Sequence, residues 1–246
     1  MISTEKGIML FGIKRDQKEA NFAGQHLGPA DAILISSDLV TGALAVTNLM
    51  RNELDAESAK MLSEVAKLKG ISLCGIQRNQ TTADFSKQSL KPPDAILLAS
   101  DLSQAVVTGG LTTIDLSDNQ LCGIWTDYDD KNYTAEGITA IADALRVNGR
   151  LTSFNLSGNN LTHYGRDMTG ITKLATALGV NGALTELSIF GNHVGDVEIC
   201  AICEAIQSNK ETKVASLNFG YNCMGPVGAN AVAAMVAVTG SLTKIK

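Results

Sequence analysis

Two cysteines, Cys200 and Cys203, have the C-x-x-C spacing that redox and zinc sites use. A structural zinc site needs a second pair of ligands, and no other Cys or His pair in the sequence stands at ligand spacing. Cys203 aligns with Ala142 and Ala175 in two similar helical segments, where a small residue faces the core. We therefore predict that Cys203 is a buried structural thiol and that the sequence holds no metal site.

Catalytic residues are equally hard to assemble. His26, His163 and His193 lie far apart, and none stands in a recognisable motif with a Ser or Cys nucleophile. The acidic run at residues 127–130 lacks the alternating oxygen ligands, the central Gly and the final Glu of a calcium-binding loop. No phosphate-binding glycine motif occurs. The sequence predicts no enzyme active site, no metal and no cofactor.

The composition limits the classes of partner. The chain has 246 residues, of which 45% are hydrophobic and 18% charged, and this is enough apolar material for a buried core. A net charge of −5 is the wrong sign for attraction to nucleic acid or to anionic lipid. The five cysteines are an odd number, which favours reduced thiols. We expect a globular cytoplasmic protein that binds no nucleic acid and does not insert into a membrane.

An eleven-residue pattern recurs along the sequence. Residues 111–121 and 151–161 fit L-x-x-L-x-L-x-x-N-x-L, with Ile or Phe at some apolar positions, and residues 184–194 fit with Ile and Val. Residues 214–224 and 44–54 fit nearly as well. The pattern resembles the leucine-rich repeat. With the helical segments between its copies, the unit resembles the ribonuclease-inhibitor type, which occurs in the sensor domains of NOD-like receptors and in repeat-rich proteins of algae and other protists.

The resemblance implies an α/β fold. The expected architecture is a leucine-rich repeat solenoid, or horseshoe, with a concave parallel β-sheet and convex helices. Its Leu, Ile and Phe positions point inward, and the Asn of each unit satisfies backbone groups of adjacent turns. Two helical segments end in the same dipeptide, Asn148-Gly149 and Asn181-Gly182, for which we predict the left-handed conformation that ends many helices.

Two further units depart from the pattern, because Gln25 and Gln88 stand at the position that Asn occupies in the other units. Each unit follows an extra strand-like stretch, at residues 7–13 and 70–76, and each precedes a near-identical helical segment. The N-terminal half therefore contains a longer duplication. The longer side chain of Gln predicts a departure from regular turn geometry at these two positions.

We predict a single domain over residues 1–246, with about seven full or partial repeats. The spacing between turn amides exceeds the roughly 29 residues of a typical unit, which predicts insertions near 70–76, 122–134 and 162–169. The sequence shows no evident cap at either end of the solenoid. Three alternatives stay open. The last strand is itself the end layer, another molecule covers it, or the sequence is part of a longer protein.

Aromatic residues concentrate in the two later insertions. Trp125, Tyr128 and Tyr133 belong to the longer insertion, and the adjoining insertion carries Tyr164 and Arg166. Amphipathic aromatic side chains on loops commonly form binding hot spots, so we predict that these residues contact a partner. The alternative is that Trp125 only holds its loop against the edge of the solenoid.

Phe190 and Tyr221 are the other candidate partner-binding residues. They are large side chains on the predicted concave face, where neighbouring units have Ser. The alternative is that they stack on each other and only stabilise the sheet. The resemblance and the lack of catalytic residues together imply a non-enzymatic protein–protein interaction module that binds through the concave face and the loop edge. A structural subunit or assembly factor, with end-to-end association through uncapped ends, is an alternative, and a GTPase regulator is another.

Overall fold

The computed structural model describes residues 9–123 and 132–246. Within these ranges, short strands alternate with helices. The strands are β1 (Glu19–Asn21), β2 (Val46–Asn48), β3 (Thr82–Asp84), β4 (Thr113–Asp115), β5 (Ser153–Asn155), β6 (Glu186–Ser188), β7 (Ser216–Asn218) and β8 (Lys244–Ile245). The helices are α1 (Pro29–Thr41), α2 (Ala56–Lys69), α3 (Pro92–Leu102), α4 (Ala105–Thr108), α5 (Glu136–Val147), α6 (Thr169–Leu178), α7 (Gly195–Ser208) and α8 (Pro226–Val238).

The paired strands are parallel, and within each sheet the strands lie side by side in chain order. Strands β3 to β8 form one sheet in chain order, and β1 and β2 form a separate pair. In the larger sheet Ile114 aligns with Phe154, Phe154 with Leu187, and Leu187 with Leu217. All four side chains are buried. The repeated apolar position therefore stacks into one continuous layer, which confirms the predicted α/β solenoid.

The helices bury one face against this layer. In α5 the buried residues Ile138, Ile141 and Ala142 follow helical spacing, so one side of the helix is apolar and the other polar. Cys203 is buried in α7 as predicted. Burial also raises the pKa of its thiol to about 12, which keeps the side chain neutral.

The predicted left-handed helix ends are wrong. Asn148 follows α5 in an extended conformation, and neither Gly149 nor Gly182 has a positive φ angle. The Asn side chains end the helices in another way. The Nδ2 of Asn148 donates to the carbonyl of Leu102 at 2.8 Å, and its Oδ1 accepts from the backbone N–H of Leu151 at 2.8 Å. Asn181 repeats this arrangement with Leu145 and Leu184, so each Asn amide bonds a carbonyl at the end of the preceding helix.

The sheet is interrupted between β2 and β3. The stretch after α2 forms isolated bridges to β2, through Ser72 opposite Val46 and Cys74 opposite Asn48, and β3 pairs only with β4. A strand without a neighbour leaves its outer carbonyl groups unpaired. Here the Nε2 of Gln88 donates to the carbonyl of Asp84 at 3.2 Å. The longer side chain of Gln88 therefore provides a hydrogen-bond donor for an outer carbonyl of its own strand.

The N-terminal unit repeats these contacts at a distance of 63 residues. Gln25 donates to the carbonyl of Asn21 at 3.3 Å, as Gln88 does to that of Asp84. Asp101 in α3 accepts from the backbone N–H of Leu73 at 2.8 Å, and its counterpart Asp38 in α1 accepts from the N–H of Leu10 at 2.6 Å. The duplication seen in the sequence is thus a duplication of hydrogen bonds.

Candidate functional site

The loop edge, at the carboxyl ends of the strands, is fixed by turns of unusual backbone geometry. Around Asn192, the flanking Gly191 and His193 both have left-handed φ angles, of 67° and 56°. Tyr221 and Cys223 around Asn222 do the same, with φ of 56° and 58°. Such angles are rare for residues other than Gly and need support from their surroundings. The buried Asn between them supplies that support, so side chains on this edge project from a rigid turn.

Asparagine and aspartate side chains of the concave face, which comprises the outward residues of the strands, hold their own strand ends. The Oδ1 of Asn155 accepts from the backbone N–H of Ser157 at 3.1 Å and from its hydroxyl at 2.6 Å. Asp84 and Asp115 accept in the same way from the residue two positions on. The Ser86 bonds also lower the pKa of Asp84. The sequence analysis did not predict this side-chain turn, although Asn or Asp two residues before Ser is its usual signal.

Phe190 and Tyr221 form one aromatic pair at the junction of the concave face and the loop edge. Their ring centroids lie 5.0 Å apart with an interplanar angle of 53°, so the two rings are in contact in a tilted arrangement. The pair also remains open, because Phe190 is 38% exposed and Tyr221 is 82% exposed. A side chain added at Gly220 would approach the Phe190 ring to 3.0 Å, so Gly220 leaves the room that this ring occupies.

A second group of rings lies further along the loop edge. The ring of Tyr164 is 44% exposed and lies 4.6 Å from that of His193. The Nδ1 of His193 is 3.8 Å from the Sγ of Cys223 in the next unit. Arg166 is exposed, and its backbone N–H donates to the carbonyl of Thr162 at 2.9 Å. The shorter insertion therefore places Tyr164 beside His193 of the next unit, and Arg166 is exposed in the same insertion.

Tyr133 has a more enclosed position. Its ring stacks on His163 with a centroid distance of 4.6 Å and an angle of 11°, and its hydroxyl donates to the carbonyl of Leu161 at 3.0 Å. Desolvation raises the pKa of this phenol above its ordinary value. These contacts tie the longer insertion to the solenoid. Trp125 and Tyr128, the other predicted residues of this insertion, lie outside the described residues.

The described residues contain neither a candidate metal centre nor a candidate membrane span. Over residues 9–123 and 132–246, no group of three or more His, Cys, Asp or Glu side chains could hold a metal ion. In the same ranges, every helix is too short or too polar to cross a bilayer.

The parallel strand register, the stacked inward apolar positions and the turn asparagines define a leucine-rich repeat solenoid. The Oδ1 of Asn222 accepts from the backbone N–H of Asn192 at 2.9 Å, and Asn192 accepts in turn from that of Asn159 at 2.8 Å. The units of Asn192 and Asn222 thereby bond to their preceding units through the same atoms.

Of three comparisons with known proteins, the search of solved structures gives matches. A scan against protein-family models gives no match, and a search of curated proteins gives none. Among solved structures, the chain is similar to the leucine-rich repeat-containing protein LegL7 from Legionella pneumophila, with 16% identity, a TM-score of 0.41 and coverage of 92% of this chain and 72% of LegL7. It is also similar to TLR13, solved in complex with ssRNA13, with 12% identity, a TM-score of 0.28 and coverage of 94% and 37% respectively. At these levels the assignment of the repeat rests on the register and the asparagine bonds.

Proposed function

We propose that the chain is a non-enzymatic protein-binding module that contacts its partner through the concave face and the loop edge. The observation that carries the proposal is the exposure of Phe190 and Tyr221 on a rigid frame. Large aromatic side chains that lose little conformational entropy on binding are typical centres of protein interfaces. The left-handed turn sets the backbone from which Tyr221 projects, and the Phe190 ring packs over Gly220 and against the Tyr221 ring.

Replacing both rings tests this proposal. Proteins retained by immobilised wild-type chain from an extract of the native source are identified by quantitative mass spectrometry, and each is then measured against the purified chain. We expect the double variant Phe190→Ala, Tyr221→Ala to bind the retained partner at least tenfold more weakly. Val180→Ala is the matched control, because Val180 is an exposed apolar residue after α6, away from the strands. Equal retention by the double variant and wild type would refute the proposal.

A structural subunit of a larger assembly is the second candidate. The helices at the two ends of the described solenoid expose apolar side chains, with Ile33 of α1 60% exposed and Val227 and Val238 of α8 62% and 71% exposed. Helix α8 also carries no charged residue. These faces support end-to-end association or permanent burial in a complex. Sedimentation velocity of the isolated chain distinguishes the two candidates, because a stable monomer at high concentration counts against the subunit role.

Two earlier expectations stay proposals. All five cysteines are free thiols, and this supports placement in a reducing compartment such as the cytoplasm. No observation on the described residues favours a GTPase regulator, so that role stays an untested alternative.

A further inference from the structure

Acidic and basic side chains lie at opposite ends of the concave face. Asp115 on β4 and Glu186 on β6 lie towards one side, and Lys244 on β8 and Lys246 lie at the other. All four line a single cavity of about 300 Å³ above the larger sheet. None of them forms an ion pair with another residue of the described ranges. The face therefore presents two opposite charges that the chain itself does not neutralise.

Neutral hydrogen bonds hold the acidic end in place. Asp115 accepts from the Nδ2 of Asn155 at 3.0 Å, and Glu186 accepts from the hydroxyl of Ser153 at 3.2 Å. These donors orient the carboxylates without cancelling their charge. At the basic end, the backbone N–H of Lys244 donates to the carbonyl of Ala215 at 2.9 Å, so the strand that carries the ammonium group is fixed. Fixed charges of opposite sign on one surface favour one orientation of a bound chain.

We propose that the concave face binds an extended segment of a partner protein in a single orientation, with a basic residue at Asp115 and Glu186 and an acidic residue at Lys244. This inference rests on the proposed protein-binding function and adds the chemistry of the ligand. It concerns an extended segment because the cavity is a shallow surface over five short strands rather than a deep pocket.

Sheet geometry sets the spacing of the two charges in the partner. Adjacent strands lie about 4.8 Å apart, so the four steps from β4 to β8 span about 19 Å and the two steps from β6 to β8 about 10 Å. An extended chain advances about 3.3 Å per residue. The basic and acidic residues of the segment are therefore about three to six residues apart.

A charge reversal that conserves net charge tests the inference. Peptides of random sequence, displayed on phage, are selected on the immobilised wild-type chain, and the enriched peptides are synthesised with a fluorophore. Binding to wild type and to Glu186→Lys, Lys244→Glu is measured by fluorescence anisotropy. We expect enriched peptides to carry one basic and one acidic residue at the stated spacing, and to bind the reversed variant at least tenfold more weakly. The control reversal Lys210→Glu, Glu211→Lys exchanges exposed charges between α7 and β7 and should leave affinity unchanged.

The outcomes separate this inference from the function on which it rests. Peptides that lack the charge order, or that bind the reversed variant as well as wild type, overturn the inference. A selection without any specific binder overturns it too. The protein-binding function is judged separately by the double alanine variant Phe190→Ala, Tyr221→Ala with the partner retained from extract. Loss of that binding together with charge-insensitive peptides would leave the function standing and remove only the proposed chemistry.

Discussion

The side-chain oxygen of Asn192 accepts a hydrogen bond from the backbone N–H of Asn159, one repeat earlier, at 2.8 Å. The Nδ2 of Asn192 donates to the carbonyls of Leu156 and Ile189, both at 2.9 Å. A single buried amide thus joins two units and closes its own turn. Asn159 makes the corresponding donor bonds, but its Oδ1 is buried without a hydrogen-bond partner among the described residues.

Asn192→Leu should therefore destabilise the chain more than Asn159→Leu does. A leucine at either position leaves buried carbonyl groups without a hydrogen bond, and each such group costs about 1 to 3 kcal/mol of stability. Only Asn192→Leu also leaves a buried backbone N–H without an acceptor. We expect a loss of about 3 kcal/mol or more for Asn192→Leu from urea denaturation. Asn230→Leu, at an exposed position of α8, controls for the added apolar volume. Equal midpoints for the two buried variants would contradict the argument.

The buried carboxyl group of Asp101 should make stability depend on pH. Asp101 is fully buried, and desolvation raises its pKa to about 7 even though it accepts bonds from Leu73 and Ser72. Between pH 4 and 7 the native chain therefore keeps a proton that the unfolded chain has released, so the contribution of Asp101 to stability falls as the pH rises. The effect amounts to at most about 4 kcal/mol over this window.

Comparing wild type with Asp101→Asn isolates that contribution. We expect the variant to lose the Asp101 part of the pH dependence, measured as the free energy of unfolding at pH 4.5 and pH 7.5. We also expect it to be less stable than wild type at low pH, because an amide would direct N–H groups at the backbone donors. Asp143→Asn, at an exposed site of α5, should behave as wild type. The same pH slope in Asp101→Asn and wild type would contradict the raised pKa.

Gly170 marks a close contact between helices α5 and α6. A Cβ atom at this position would clash with the Cγ2 of Ile138, which is itself fully buried. Gly170→Ala should lower stability by about 1 to 3 kcal/mol, although alanine favours the helix by up to about 1 kcal/mol. Gly240→Ala is the control, since no atom lies within 4 Å of the added Cβ. Thermal unfolding by circular dichroism measures both, and a melting temperature for Gly170→Ala at or above wild type would be the contrary result.

Tyr133 gives a test of how the longer insertion is held. Tyr133→Phe removes the hydroxyl that bonds the carbonyl of Leu161 and should cost about 1 kcal/mol. Tyr133→Ala also removes the stacking on His163 and should cost more. Tyr221→Phe, at a ring that is 82% exposed, should change the unfolding midpoint little. If Tyr133→Phe and Tyr221→Phe prove equally harmless, the hydroxyl bond does not anchor the insertion.

The repeat frame could be predicted because its period and residue types act together. Ile114, Phe154 and Leu187 occupy the same place in each pattern, and burial of that place leaves only one register for parallel strands. The contact between Phe190 and Tyr221 was one of two alternatives that the same frame left open. The inward and outward sides of every full unit were therefore accessible from the sequence.

Other features depended on contacts between distant residues, which spacing alone does not reveal. The sequence does not say that Asp38 and Asp101 bond the backbone of the stretches before β1 and β3, because these partners lie 28 residues away. The Asn-Gly dipeptides misled the prediction, since the Asn amides bridge to the neighbouring helix and remove the need for a left-handed glycine. Likewise, spacing does not show that Gln80 and Gln88 bond the outer carbonyls of β3 at the break in the sheet.

Those glutamine bonds have a consequence for how such a chain can change in length. The outer carbonyls of β3 accept hydrogen bonds from glutamines of its own unit, so they need no backbone partner from the preceding unit. The same closure at β1 makes the two junctions interchangeable on the sheet side. Insertion or deletion of one complete 63-residue unit would leave the outer carbonyls of its first strand hydrogen-bonded. Removal of a strand between β4 and β8 would instead leave the backbone groups of its neighbours unpaired.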